Sequence, residues 1–168
     1  MRKTKKGDMR RQLDRIDAKI LRALQENGRI SFVDLGEKVG LSTSPCLERV
    51  RRLEKAGYIR GYTAVLNPKL LDAALLVYVE IRLEYTTPDI FEQFSAAVRD
   101  LPQVLECHLV SGDFDFLLKI RIADMETYRN LLGEILHRLP GVRDSKSYVV
   151  MEDVKETLAV EVPDPVTE

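Results

Sequence analysis

Long apolar runs and clusters of cysteine are both missing from this sequence. No run of about eighteen apolar residues, the minimum for a transmembrane helix, occurs. The basic N-terminus is followed by Gly7-Asp8 and Asp14 rather than by the apolar core of a signal peptide. Neither Cys46 nor Cys107 has a second Cys or a His at metal-ligand spacing. We therefore expect a cytoplasmic protein with ordinary thiols, no metal, no cofactor and no membrane partner.

The small net charge of -1 hides an unequal distribution of charge. Residues 1–66 carry 16 of the 26 Lys/Arg and 8 of the 27 Asp/Glu, a net of +8, which leaves 10 and 19 for residues 67–168, a net of -9. Basic segments concentrate near polyanions and acidic ones are repelled, so the N-terminal part is expected to face DNA or RNA. A solvated charged surface is the alternative. A chain of 168 residues has room for two small domains of this kind.

The N-terminal part begins with a basic segment and continues as a helix. Residues 1–12 contain six Lys/Arg and almost nothing apolar, which predicts a flexible basic arm. Between Leu13 and Leu24 the apolar residues recur with helical spacing, with Asp14 placed as the N-cap and Asn27-Gly28 as the end. These signals predict a first helix of three to four turns.

Two shorter helices are predicted next. Ser31 and Asp34 form a start signal for a helix that ends at Gly40. Ser44-Pro45, a cap followed by a first-turn proline, predicts a third helix that ends at Gly57. Two helices joined by a short turn with a glycine form a helix-turn-helix, in which the second helix enters the major groove of DNA.

The third helix is rich in arginine on the sides that do not carry its apolar residues. Its apolar face comprises Cys46, Leu47, Val50 and Leu53. The residues predicted to contact bases or phosphates are Thr43, Ser44, Glu48, Arg49, Arg51, Arg52 and Lys55. Arginine suits guanine edges and phosphates, Glu48 can accept from cytosine N4, and Arg52 is expected opposite the apolar face. An ordinary solvated helix surface is the alternative.

Residues 58–66 are rich in β-forming side chains and are interrupted by Gly61. This pattern predicts a short two-stranded wing, and Asn67-Pro68 closes the domain. We therefore expect a winged helix-turn-helix domain over residues 13–66 and a linker over residues 67–74.

The remaining sequence alternates strand and helix patterns. Strands are predicted over residues 75–85, 104–110, 116–122 and 142–151, with helices after Thr87-Pro88 and after Asp124. The order β-α-β-β-α-β is the ferredoxin-like arrangement, so the chain is expected to be α+β, with this domain over residues 75–156 and a tail over 157–168. An open sheet face would favour a homodimer.

The turn between the two middle strands carries the most chemistry in this domain. It contains Gly112, Asp113 and Asp115 within six residues. A glycine turn can present N–H groups to a carboxylate and an aspartate can accept from an ammonium group, so a zwitterionic amino acid would fit. An ordinary hairpin turn is the alternative.

Four long segments together resemble the Lrp/AsnC (feast/famine) family of transcription regulators. They are LDRIDAKILRALQENGRIS, LSTSPCLERVRRLEKAGYIRGYTAVLNP, ECHLVSGDFDFLLKIR and LLGEILHRLPGVRDSKSYVVMEDVKE, and they span about Leu13 to Glu156. The resemblance implies a winged helix-turn-helix joined to a βαββαβ effector domain, and homodimers that assemble into octamers around double-stranded DNA. It further implies a nucleoid-associated regulator that activates some genes and represses others.

The same resemblance implies an effector pocket between dimers. Its G-x-x-D turn corresponds to Gly112 and Asp115, and the other matching positions are Leu109, Met125, Tyr148, Val149 and Val150. Their aliphatic character suits leucine or a similar small amino acid. For each residue taken alone, core packing is the alternative.

Two other functions compete with this hypothesis. An enzyme could use His108, Asp113 and Asp115 near one turn, but no nucleophile-base pair, metal cluster or phosphate loop occurs, so we expect no enzyme. Alternatively, the basic domain could be a protein or RNA adaptor joined to the same amino-acid sensor.

Overall fold

The computed structural model describes residues 13–164, without the side chains of residues 134, 136 and 137. The predicted basic arm over residues 1–12 lies outside this range. The chain divides into two compact units. One runs up to Val65 and includes the tail from Thr157 onward, and the other comprises Leu66–Glu156.

The N-terminal unit consists of three helices, α1 (Arg15–Glu26), α2 (Phe32–Val39) and α3 (Thr43–Lys55). The predicted caps of the first two helices are confirmed. The Asp14 side chain accepts from the backbone N–H of Asp17, and the Ser31 hydroxyl accepts from that of Asp34. Gly40 adopts a left-handed conformation, with φ 79°, and ends α2. Local hydrogen bonding therefore fixes the ends of both helices.

The start of α3 differs from the prediction by two residues. The N-cap is Ser42, and Ser44-Pro45 lies within the first turn. Proline is accepted there because the first N–H groups of a helix have no partner within the helix. The first backbone hydrogen bond of α3 runs from the Cys46 N–H to the Ser42 carbonyl, at 3.2 Å, so Pro45 removes no bond from the helix.

The turn between α2 and α3 depends on a close approach at Gly36. The Leu41 N–H donates to the Gly36 carbonyl at 2.8 Å, and a Cβ added at Gly36 would lie 2.7 Å from the Leu41 carbonyl oxygen. The neighbour is backbone, so it cannot move aside as a flexible side chain could. Glycine at this position sets the distance between the two helices of the helix-turn-helix.

We expect Gly36→Ala to destabilise the N-terminal unit by about 1–3 kcal/mol, because the added methyl group overpacks the turn. Gly133→Ala is the matched control. It lies in an exposed part of a helix, and a Cβ there meets no atom within 4 Å, so the change should be neutral or stabilise by up to about 1 kcal/mol. Urea unfolding monitored by circular dichroism measures both. Equal stabilities for the two variants would contradict this account of the turn.

Residues 59–67, which follow α3, form neither a helix nor a strand ladder in this fully described stretch. The predicted pairing of two wing strands is therefore corrected, since β-propensity favours extended backbone but does not supply a partner strand. Tyr62 connects the segment to α3, where its hydroxyl donates to Glu54 Oε1 at 3.0 Å. Partial burial and this bond raise the pKa of Tyr62 to about 12.

The second unit is a four-stranded antiparallel sheet with two helices, as predicted. Its elements are β1 (Leu75–Leu83), α4 (Pro88–Arg99), β2 (Val104–Leu109), β3 (Phe116–Ile122), α5 (Met125–Arg138) and β4 (Val142–Val149). The strand order β2-β3-β1-β4 is that of the ferredoxin-like fold. β1 pairs with β3 on one side and with β4 on the other.

Buried and partly exposed side chains alternate along β1 and β3, so that the sheet has a core face and a second face. Every second residue of β3, from Phe116 to Ile122, is buried, and the residues between them are partly exposed. Phe94 of α4 stacks on Phe116 with ring centroids 4.3 Å apart. The helices therefore cover one face of the sheet.

Candidate functional site

The exposed face of α3 carries five of the seven predicted DNA-contacting residues. They are Thr43, Ser44, Glu48, Arg51 and Lys55, all of which are exposed. The buried residues Cys46, Val50 and Leu53 lie on the opposite side and hold α3 against the other two helices. Packing of this apolar stripe therefore presents the exposed face of α3 to solvent.

Arg49 and Arg52, the other two predicted residues, bind carboxylates of α1 instead of projecting freely. Arg49 Nη1 donates to Asp17 Oδ1 at 2.8 Å and to Asp14 Oδ2. Arg52 Nη2 donates to Asp17 Oδ1 at 2.7 Å and to Oδ2 at 2.9 Å. We call these four residues the Asp–Arg cluster. The predicted outward position of Arg52 is thereby corrected, because its guanidinium turns toward the buried carboxylate of Asp17.

Asp14 has two roles in this cluster. Desolvation raises the pKa of Asp14, but the hydrogen bonds from Arg49 and from the Asp17 N–H outweigh it, so that the pKa lies below the ordinary 3.8. The carboxylate stays ionised at neutral pH, where it caps α1 and binds Arg49 at the same time.

The start of α3 can also accept an anion. Its N-cap, Ser42, makes no side-chain hydrogen bond to the first turn, so the N–H groups of Thr43 and Ser44 are not occupied by a side-chain cap. Helix N-termini of this kind bind phosphate oxygens. Together with Arg51 and Lys55, the exposed face of α3 offers donors for phosphates and bases, and Glu48 is an acceptor.

In the second unit, the turn before β3 is fixed to the end of β1. The Asp115 N–H donates to the Ile81 carbonyl, and Asp115 Oδ2 accepts from the Leu83 N–H, both at 2.8–2.9 Å. The Leu83 N–H lies where the pairing of β1 with β4 shifts register. Arg82 Nε donates to the Asp113 carbonyl at 2.8 Å. Asp115 Oδ1 accepts no hydrogen bond from the residues whose side chains the structure describes.

The predicted effector residues fall into two groups at opposite ends of β1. The turn group, Leu109, Gly112 and Asp115, lies at the Ile81 end, since Asp115 binds the Ile81 carbonyl. The second group comprises Met125, Tyr148, Val149 and Val150 and lies at the Leu76 end, where the Val150 N–H donates to the Leu76 carbonyl. The structure does not bring the two groups together within one chain.

A shallow groove of about 450 Å³ opens at the Leu76 end of the second unit. Its lining comprises Met125, Glu126, Tyr128, Arg129, Leu132 and Ser147. The Tyr128 and Ser147 hydroxyls share a hydrogen bond at 2.5 Å. The sequence reasoning did not single out Tyr128 or Ser147 as site residues. Tyr128 is 4% exposed, and a tyrosine on a buried helix face usually has a polar partner, which is the signal that could have found this pair.

Metal and membrane sites are not found in the part of the chain that the structure describes. No group of three or more His, Cys, Asp or Glu there could hold a metal ion. None of the helices in that range has the length and apolar character needed to cross a bilayer.

Comparison with known proteins connects both surfaces to one family. Residues 13–60 match the winged helix-turn-helix DNA-binding family, and residues 76–160 match the Lrp/AsnC ligand binding domain. The chain is 64% identical over 147 residues to the leucine-responsive regulatory protein of Salmonella typhimurium, covering 88% of this chain and 90% of that protein. The Escherichia coli protein of the same name is 63% identical over the same length.

Solved structures agree in fold over nearly the whole chain. An AsnC family transcriptional regulator from Agrobacterium tumefaciens superposes with a TM-score of 0.85 and 36% identity, covering 89% of this chain and 97% of that one. A transcriptional regulator from Neisseria meningitidis in complex with L-Met gives 0.84 and 38%, covering 89% and 96%. The chain therefore belongs to the Lrp/AsnC family of ligand-modulated, DNA-binding transcription regulators.

Proposed function

We propose that this regulator contacts operator DNA through the exposed face of α3 and responds to leucine or a similar aliphatic amino acid. The names of its relatives support this choice, since two of them are called leucine-responsive and a third was crystallised with L-Met. Leucine and methionine are both small amino acids with apolar side chains.

The observation that carries the proposal is the separation of the two effector groups. Asp115 binds the carbonyl of Ile81 and Val150 binds that of Leu76, five residues along β1, which corresponds to about 17 Å. The turn group lies on the β3 side of β1, whereas Tyr148, Val149 and Val150 lie on the β4 side. One amino acid cannot touch both groups of a single chain, so we place the pocket between two copies.

The chemistry of the two groups is complementary for such a ligand. Asp115 Oδ1 supplies a carboxylate oxygen for the ammonium group, and the exposed turn at Gly112 supplies backbone N–H groups for the carboxylate. Met125 and Val149 are exposed apolar residues that can cover an aliphatic side chain. Each group alone binds only one part of the amino acid.

A pocket of this kind links effector binding to assembly, because the ligand stabilises whichever assembly completes its site. We propose a homodimer that assembles further, with octamers as the expected closed state, and a cytoplasmic, nucleoid-associated regulator that activates some genes and represses others. The chemistry described here requires no catalytic step.

Subunit complementation tests the shared pocket. Asp115→Asn removes the charge for the ammonium group, and Met125→Asp places a charge in the apolar part at the first position of α5, where acidic residues are tolerated. Each variant alone should bind leucine at least about tenfold more weakly than wild type. When the two are co-expressed, random mixing restores about a quarter of the pockets, and calorimetry measures this stoichiometry.

The control is a co-expressed mixture of wild-type chains, which gives the full stoichiometry. Mixed variants that show no sites of wild-type affinity, although sizing shows mixed oligomers, would place the pocket within one chain. Calorimetry of the wild-type protein against the other aliphatic amino acids identifies the preferred ligand, and sizing with and without it shows the change in assembly.

A further inference from the structure

Asp17 is an unusual residue for the face of α1 that it occupies. It is the one charged residue buried within the described range 13–164, with 5% of its surface exposed. A carboxylate removed from water destabilises the fold unless cations bind it. Both cations that bind Asp17 come from α3, the helix that carries the exposed DNA-contacting face.

The Asp–Arg cluster occupies two of the three arginines of α3. Its two carboxylates balance the charges of Arg49 and Arg52, whereas Arg51 is exposed and forms no ion pair with any described residue. The Arg49 and Arg52 side chains nevertheless keep 24% and 37% of their surface exposed. Arginines at this position could reach phosphates if the carboxylates did not hold them.

This arrangement affects specificity as well as stability. Sequence-independent binding to DNA grows with the number of phosphates that a protein neutralises, whereas sequence preference depends on the position of the groups that touch base edges. Carboxylates that hold two arginines toward α1 lower the sequence-independent binding to phosphates. They also tie one side of α3 to α1, which adds to the apolar packing that orients the exposed face of α3.

We propose that Asp17 is a specificity-determining positioning residue: it withholds Arg49 and Arg52 from the DNA backbone and orients α3 so that its exposed face meets the bases. This inference rests on the proposed DNA-contacting role of α3. It predicts that an uncharged residue at position 17 increases binding to arbitrary DNA and decreases discrimination.

The test compares Asp17→Asn with wild type on two duplexes, one that the wild-type protein enriches from a randomised pool and one of scrambled sequence. Released arginines should steepen the salt dependence on scrambled DNA by about 0.9 in log K per log salt for each phosphate gained. The ratio of affinities for enriched over scrambled DNA should fall about tenfold, the value of one displaced base contact.

Glu37→Gln is the matched control. Glu37 is exposed on α2 and forms no ion pair with a described residue, so its loss changes the net charge equally without releasing an arginine. The double variant Asp17→Asn with Arg52→Gln should recover part of the wild-type salt slope, because one of the released arginines is removed again.

Arg52→Gln alone provides a second measurement that holds even if Asp17→Asn does not fold. With Asp17 intact, it should reduce affinity for the enriched duplex through misplacement of α3, while the salt slope stays at the wild-type value. A slope lowered by about 0.9 would mean that Arg52 already contacts a phosphate, and this would overturn the proposal. A wild-type slope and discrimination ratio in folded Asp17→Asn would overturn it too. A wild-type protein without any sequence preference would instead overturn the proposed function.

Discussion

Removal of Arg51 and Lys55 together is expected to weaken binding to the enriched duplex by at least about thirtyfold, since each of the two contacts with a base or a phosphate contributes about 1–3 kcal/mol. Both side chains lie on the exposed face of α3, and neither forms an ion pair with a described residue. They are therefore available to DNA without first breaking a bond within the protein.

Salt titration of Arg51→Ala, Lys55→Ala and the double variant distinguishes the roles of the two residues. A residue that contacts a phosphate lowers the slope of log K against log salt by about 0.9 and weakens all sequences equally. A residue that contacts a base lowers the affinity for the enriched duplex alone. Lys19→Ala, an equal change of charge at an exposed position of α1, is the control. If Lys19→Ala weakens binding as much as Arg51→Ala, general charge rather than the exposed face of α3 accounts for affinity.

The helices of the N-terminal unit could be predicted because their ends are local. The cap at Asp14, the cap at Ser31 and the left-handed Gly40 each depend on a few neighbouring residues, and all three occur as expected. The start of α3 was misplaced because proline suits several positions of a first turn, where no N–H bond is lost. A local signal therefore fixed the helix but not its first residue.

The ion pairs of Arg49 and Arg52 could not be predicted from the sequence of α3 alone. A helical wheel shows which residues oppose the apolar face, but it does not show an acidic side chain on another helix. A signal was nevertheless present in α1, where Asp17 lies between Ile16 and Ile20 on the buried stripe. A carboxylate on such a face calls for a cationic partner, and the third helix carries a cluster of three arginines that could supply it.

The ferredoxin-like unit was predictable in outline because its strands and helices follow regular periodicities. The alternation of β3 and the Asp124 cap of α5 both occur as expected. The arrangement of the effector residues was not predictable, since it depends on which end of β1 each loop reaches. Family resemblance grouped seven residues into one pocket, and only the register of the sheet separates them into two groups.

Loss of the charge at Asp115 is expected to reduce effector affinity by about tenfold to a hundredfold, the share of one charge-assisted hydrogen bond to an ammonium group. Asp115 also has a structural role, because its Oδ2 accepts from the Leu83 N–H at 2.8 Å where β1 shifts register. Asp115→Ala removes both roles, so it should also destabilise the second unit by about 1–3 kcal/mol.

Asp115→Asn separates the two roles, because its amide oxygen can still accept from Leu83 while the charge is gone. Urea unfolding should show near wild-type stability for Asp115→Asn and a loss for Asp115→Ala, whereas calorimetry with leucine should show weak binding for both. Asp113→Asn is the matched control, since Asp113 is exposed and, among the described residues, it bonds only to Arg82 and through its backbone carbonyl. If Asp115→Asn bound leucine as tightly as wild type, the role of Asp115 would be confined to its bond with β1. The ammonium group of the effector would then need another partner.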